Sequence, residues 1–170
     1  MDSIKRESNP PLPPNVKTLQ LSSIFHGSAA LLIGLLAGIG LTYSALGEIS
    51  LWPIFSTPIN MPGDIALWRA AHTGSITNGI ACIAAGLSLN LLSLPLPTAR
   101  RICFSLKIMV WGNIIFYIAR LWGTNRGLAL HSEQFGTGNM FDVASMLPAF
   151  AAIFFTFYAF VTLMLSSRKK

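Results

Sequence analysis

Charge is scarce in this chain. Of its 170 residues, 12 are Lys or Arg and 6 are Asp or Glu, so charged side chains make up only 11%. A soluble domain carries about a quarter, and so poor a supply of charge excludes a water-soluble globular fold. Carboxylates are fewest: Glu48, Asp64, Glu133 and Asp142 fall in loops or at the ends of apolar runs, which excludes a buried Ser-His-Asp set. Histidine is limited to His26, His72 and His131, with no His/Glu pair at the helical spacing of a di-metal site. Cysteine is limited to Cys82 and Cys103. Both lie inside apolar runs, and we expect them at different depths, as small packing residues and not a disulfide. There is no cleavable leader pattern, since residues 1–21 are polar and Pro-rich ("NPPLPPN") with no short apolar core before a small-residue site. An internal repeat is also missing, which argues against an inverted-repeat transporter. The net charge of +6 comes without aromatic interleaving and gives no support to a nucleic-acid partner.

What is abundant is apolar surface, 52% of residues at a mean hydropathy of +0.58. Four runs, 22–46, 68–94, 102–123 and 141–165, reach the roughly 20 residues that cross a bilayer. Pro-rich or polar stretches separate them: "SLWPIFSTPINMPGD", "SLPLPTARR" and "GTNRGLALHSEQFGTGN". The expected organisation is a flexible polar segment 1–21, a four-span membrane domain 22–166 and a basic tail 167–170. Alternating the spans puts Lys5, Arg6, Lys17, Arg100, Arg101, Lys107, Arg168, Lys169 and Lys170 on one side and Arg69, Arg120 and Arg126 on the other. Nine against three is a positive-inside bias, so the all-α, antiparallel four-helix bundle is expected to keep its N and C termini in the cytoplasm. Small residues mark close helix approaches, notably Gly34 and Gly38 in "GLLAGIG" and the stretch "NGIACIAAG". The same faces favour a homo-oligomer.

One polar layer interrupts this apolar background. The second span carries "RAAHTGSITNG", and helical rise places His72 about 6 Å and Asn78 about 15 Å below the outer end of that span. On the returning third span Asn113 lies about 15 Å and Tyr117 about 9 Å below the same end. Asn113 and Tyr117 are four residues apart and share a face. Polar side chains inside a membrane either join helices by hydrogen bonds or build a site. Four at matched depth, opposite a loop with Asn125, Arg126 and His131, favour a site. Six residues of helix rotate by about 600°, so Asn78 points roughly 120° away from His72. A cofactor between subunits would use both faces. A single buried His suits one axial position of a haem, with the opposite position open. His131 is the one residue that could serve as a second ligand. Three readings are therefore open: an enzyme, a b-type electron-transfer cytochrome, or a haem-free helper or transporter.

Beyond composition, the chain resembles the styrene oxide isomerase family. "MPGDIALWRAAHTGSITNG" is similar to the family's Pro-Gly, Trp, Ala-His and Asn-Gly arrangement. "WGNIIFYIARLWGTNRGL" carries its Trp, Asn, Phe-Tyr and Asn-Arg-Gly-Leu elements. "EQFGTGNMFD" resembles its turn into the last span, followed by "LPAF", and His26–Gly27 also fits. The resemblance covers roughly residues 24 to 160.

The resemblance implies a trimeric four-span protein with haem b at subunit interfaces. It also implies a ferric Lewis acid that turns an apolar epoxide, arriving through the lipid bilayer, into an aldehyde or ketone by a 1,2-shift. On the matched positions His72 is the axial ligand, and Asn78 and Tyr117 line the substrate side. Asn113 matches a motif position, as does Arg126, which either pairs with a haem propionate or caps a loop. Either a bacterial inner membrane or a eukaryotic endoplasmic reticulum fits. There are departures: Met109 stands where the family carries Asp, Arg69 is one residue further from the histidine, and His131 is unexpected. They point to an aryl or terpenoid-like epoxide other than styrene oxide.

Overall fold

The computed structural model describes residues 14–168. Lys5, Arg6, Lys169 and Lys170, counted in the charge bias, lie outside the described residues, as does most of the segment 1–21. The chain forms four long helices: α1 (Pro14–Leu46), α2 (Ile65–Leu91), α3 (Leu96–Ala119) and α4 (Met140–Ser167). All four are long and apolar enough to cross a membrane. In such a segment only a helix satisfies every backbone N–H and C=O internally. Two short hairpins occupy connections that the sequence presents as loops. They are β1 (Glu48–Leu51) with β2 (Phe55–Pro58), and β3 (His131–Ser132) with β4 (Gly136–Thr137).

Helix ends are set by local chemistry. The Asp64 carboxylate accepts the Leu67 N–H at 2.8 Å and starts α2. Pro95 precedes α3, where a missing N–H costs nothing. Asn139 and Asp142 form a capping box on α4. The helix bounds shift from the apolar runs: α1, α2 and α3 start earlier, at Pro14, Ile65 and Leu96, so residues 14–21 are helical and not a flexible segment, while α2 and α3 end earlier, at Leu91 and Ala119. Tertiary docking accounts for the extension of α1, because Gln20 is buried and donates to the Leu87 carbonyl of α2 at 3.0 Å.

Contacts along the helices fix an antiparallel arrangement. Gly27 lies against Gly79 and Ile83, Gly34 against Ile76, and Gly40 against Trp68, so α1 and α2 run in opposite directions. Gly74 against Tyr117 together with the Asn78–Asn113 bond does the same for α2 and α3, and Phe104 on Phe155 together with Gly112 against Pro148 for α3 and α4. The core sits where α1, α2 and α3 meet, around Ala30, Cys82, Ile102, Leu106, Met109 and Val110. By contrast, α4 packs along α3 and makes no comparable interface with α1 or α2.

One expectation is corrected here. The two cysteines share a depth: Cys82 Sγ donates to the Ser23 carbonyl at 3.5 Å, and Cys103 Sγ lies 3.5 Å from Ser23 Oγ. The turn between α2 and α3 falls midway between them in the chain, which brings them level. Both remain free thiols, as expected.

Candidate functional site

The end of the molecule holding Leu46, Ile65, Ala119 and Met140 is tied together by a buried carboxylate. Asp142 accepts the backbone N–H groups of Asn125 at 3.1 Å, Gly127 at 2.8 Å and Asn139 at 2.9 Å, and the Thr124 hydroxyl at 3.1 Å. The side chain of Asn125 is buried too, donating to the Gly136 carbonyl at 3.0 Å. A polar connection thus folds back onto the first turn of α4, and its backbone donors converge on one negative charge. Arg126 leaves this loop with φ +56, and its guanidinium pairs with Asp64 at 2.9 Å. The pair ties the α3–α4 connection to the start of α2.

His72 faces α1. Its Nδ1 lies 2.8 Å from the Gly34 carbonyl oxygen. A carbonyl can only accept, so Nδ1 carries a proton, and the neutral form of the ring has its lone pair on Nε2. No hydrogen-bond partner of Nε2 occurs among the described residues. The ring is seated on the Gly34/Gly38 face of α1, where a Cβ at Gly38 would stand 2.8 Å from Nδ1 and 3.0 Å from Cε1. The pair read as a helix-packing motif therefore makes room for an imidazole.

Asn78 faces α3 instead. Its Oδ1 accepts from Asn113 Nδ2 at 3.2 Å, and its Nδ2 donates to the Gly74 carbonyl at 2.8 Å. Asn113 Nδ2 also donates to the Met109 carbonyl at 2.8 Å. With both N–H groups committed, Asn113 keeps a free carbonyl oxygen, while Asn78 keeps one N–H. One turn towards the polar end, the Tyr117 ring lies over Gly74, where a Cβ would stand 2.6 Å from its hydroxyl. That hydroxyl has no hydrogen-bond partner among the described residues. The structure therefore brings Asn78, Asn113 and Tyr117 together on the α2–α3 face and sets His72 on the α1 side of α2. Arg126 stands apart from both, with Asp64.

Several side chains were not legible as members of this region. Arg120 stacks on Phe116 at 4.8 Å, and its buried Nε has no partner, one helical turn from Tyr117. Ser75, fully buried between His72 and Asn78 in the chain, likewise leaves its Oγ unpaired. Their signal in the sequence was only a charge in a side count and a serine among small residues. Nearer the other end, Trp111 Nε1 donates to His26 Nδ1 at 3.1 Å. Met109 is buried in the core, and His131 lies in the exposed hairpin 3.4 Å from the Thr137 hydroxyl.

Among the described residues no three of His, Cys, Asp and Glu converge as ligands of a metal ion. A porphyrin brings four of its iron's ligands with it, so this donor set, one imidazole with a fixed tautomer and a free Nε2, fits a haem. The model of the family described as styrene oxide isomerase matches residues 19–168. A styrene-oxide isomerase of Pseudomonas fluorescens is 28% identical over 125 residues, 74% of each chain.

Proposed function

The chain belongs to the styrene oxide isomerase family, and on that premise we propose that it is a membrane isomerase converting an apolar epoxide into its aldehyde or ketone. The proposed reaction is a Meinwald rearrangement and is redox-neutral. One C–O bond of the epoxide breaks, a hydrogen or carbon group moves to the adjacent carbon with its electron pair, and the carbonyl forms without a cosubstrate. The proposed cofactor is ferric haem b, which His72 would hold through Nε2. When bound, it supplies a Lewis acid that draws electron density from the epoxide oxygen. The observation that carries this reading is the Nδ1–Gly34 bond, which orients the imidazole and leaves Nε2 available.

The remaining work falls to the chain. Tyr117, with its hydroxyl free, is the donor suited to negative charge developing on oxygen. Asn78 adds its remaining N–H, and Asn113 holds Asn78 in place through the 3.2 Å bond. The apolar helices around them keep water away from the electron-poor carbon, which would otherwise be trapped as a diol. In this reading Arg126 braces the polar end through Asp64. A cyclic homotrimer would place a second chain against the open helix faces and set haem between subunits, with the termini in the cytoplasm. A bacterial inner membrane or an endoplasmic reticulum would hold it.

The test is the absorption spectrum of detergent-purified protein, wild type against His72→Ala, followed by gas chromatography on a panel of aryl and terpenoid epoxides without NAD(P)H. We expect a Soret band that His72→Ala removes, and carbonyl product from wild type alone. Haem retained unchanged in the variant would refute the ligand assignment. A six-coordinate spectrum lost on His131→Ala would point to an electron-transfer cytochrome instead.

A further inference from the structure

The end of the molecule opposite the polar layer carries a cavity of its own. It is a groove of about 440 Å³ between α3 and α4, lined by Arg100, Arg101, Phe104, Ser105, Phe155 and Tyr158. Its walls are aromatic, with the Phe104 and Phe155 rings edge to face at 5.7 Å. The Ser105 hydroxyl is turned back onto the Arg101 carbonyl at 2.8 Å, so it adds little polarity. Arg100 and Arg101, neighbours in the chain, are both exposed, and neither makes an ion pair or a side-chain hydrogen bond among the described residues. Among the described residues no carboxylate pairs with them. All four carboxylates among the described residues, Glu48, Asp64, Glu133 and Asp142, belong to the connections and helix starts at the other end.

We propose that this groove binds one anionic phospholipid, its phosphate on Arg100 and Arg101 and an acyl chain along Phe104, Phe155 and Tyr158. The charge demands an anion, and two arginines lining one groove supply guanidinium donors suited to phosphate oxygens. The apolar walls behind them distinguish a lipid from a free phosphate, which would gain nothing from three aromatic rings. A zwitterionic lipid would carry its own cation to the mouth, and among the described residues no carboxylate stands there to receive it. The site is independent of the epoxide reading, since it shares no residue with His72, Asn78, Asn113 or Tyr117.

Native mass spectrometry of the full chain in detergent, with equal amounts of phosphatidylglycerol and phosphatidylcholine, tests this directly. Each basic side chain near an anionic headgroup is worth about fivefold in binding, so two give a preference of roughly thirtyfold. Wild type should retain phosphatidylglycerol by that order, and Arg100→Gln/Arg101→Gln should bring the two lipids close to equal. Lys17→Gln, a charge removed from the same end but outside the groove, should leave the preference intact. Equal retention of both lipids by wild type overturns the proposal whether or not the variants fold. So does a preference that survives the double substitution, or one lost equally in Lys17→Gln. Displacement of the lipid by millimolar inorganic phosphate would also overturn it, since the site would then read the headgroup alone. A change of oligomeric state on Arg100→Gln/Arg101→Gln with no loss of lipid would instead make the groove a contact between copies.

Discussion

At the residue scale, two glycines govern where the chemistry-bearing side chains can stand. Gly38 leaves the space that the His72 ring fills, and a methyl group there would stand 2.8 Å from Nδ1. Either the ring turns, losing its bond to the Gly34 carbonyl, or α1 moves away. We expect Gly38→Ala to reduce the ratio of Soret to protein absorbance severalfold while far-ultraviolet circular dichroism stays helical. An unchanged ratio would show that the ring's seat does not control cofactor retention. Gly74 plays the same part for Tyr117 on the other side of α2. Tyr117→Phe removes only the hydroxyl and should lower kcat roughly 100- to 1,000-fold, the range for losing one donor to a developing oxyanion, with haem content unaltered. Gly74→Ala should reproduce much of that loss by displacing the ring, with the intact tyrosine still present. Equal rates for Tyr117→Phe and wild type would remove Tyr117 from the mechanism.

Elements are joined by two polar devices that differ in exposure and in worth. The Asn78–Asn113 bond between α2 and α3 is a single intramembrane contact, for which a double-mutant cycle is expected to give about 0.6 kcal/mol and no more than about 1.7. Unfolding of the single and double alanine variants in a mixed-micelle titration would measure it. Asp142 does more, because three backbone N–H groups and a hydroxyl depend on one carboxylate. Asp142→Ala would leave those buried donors unpaired at a cost of about 3 kcal/mol. It should also open the connection 123–139 to limited proteolysis while the four helices persist. A variant as resistant as wild type would show that the hairpin β3–β4 holds the loop by itself. In the sequence, Asp142 was readable only as a residue at a span end. The loop that closes over it lies 15 to 18 residues away in the chain and carries no periodic signal of its own. Arg126 shows the same limit: its partner Asp64 stands at the start of another helix, far away in the chain, and nothing local to Arg126 points to it.

On the scale of the whole molecule, the uneven packing is the dominant fact. Helices α1, α2 and α3 share a core, whereas α4 lies on α3 and leaves Phe150, Phe154, Phe157 and Leu147 exposed along its length. In a membrane such a surface meets lipid or another copy. The trimer of the proposed function predicts a protein mass of three 18.4 kDa chains by light scattering corrected for detergent. A protein that remains a single chain at every concentration would exclude a site shared between subunits.

By itself the sequence determined the medium, the number of long helices and their alternation, because scarce charge and four long apolar runs have one stable solution in a bilayer. It also separated His72 from Asn78, since helical rotation is a property of the backbone alone. What it could not decide was which neighbour each of them meets. That depends on how far α1 slides along α2 before its glycines find the imidazole, and on which turn of α3 brings Asn113 level with Asn78. The same unknown register put Cys82 and Cys103 at different depths until tertiary packing brought both to Ser23. Registers of this kind are set by side chains fitting across interfaces, which no single helix contains.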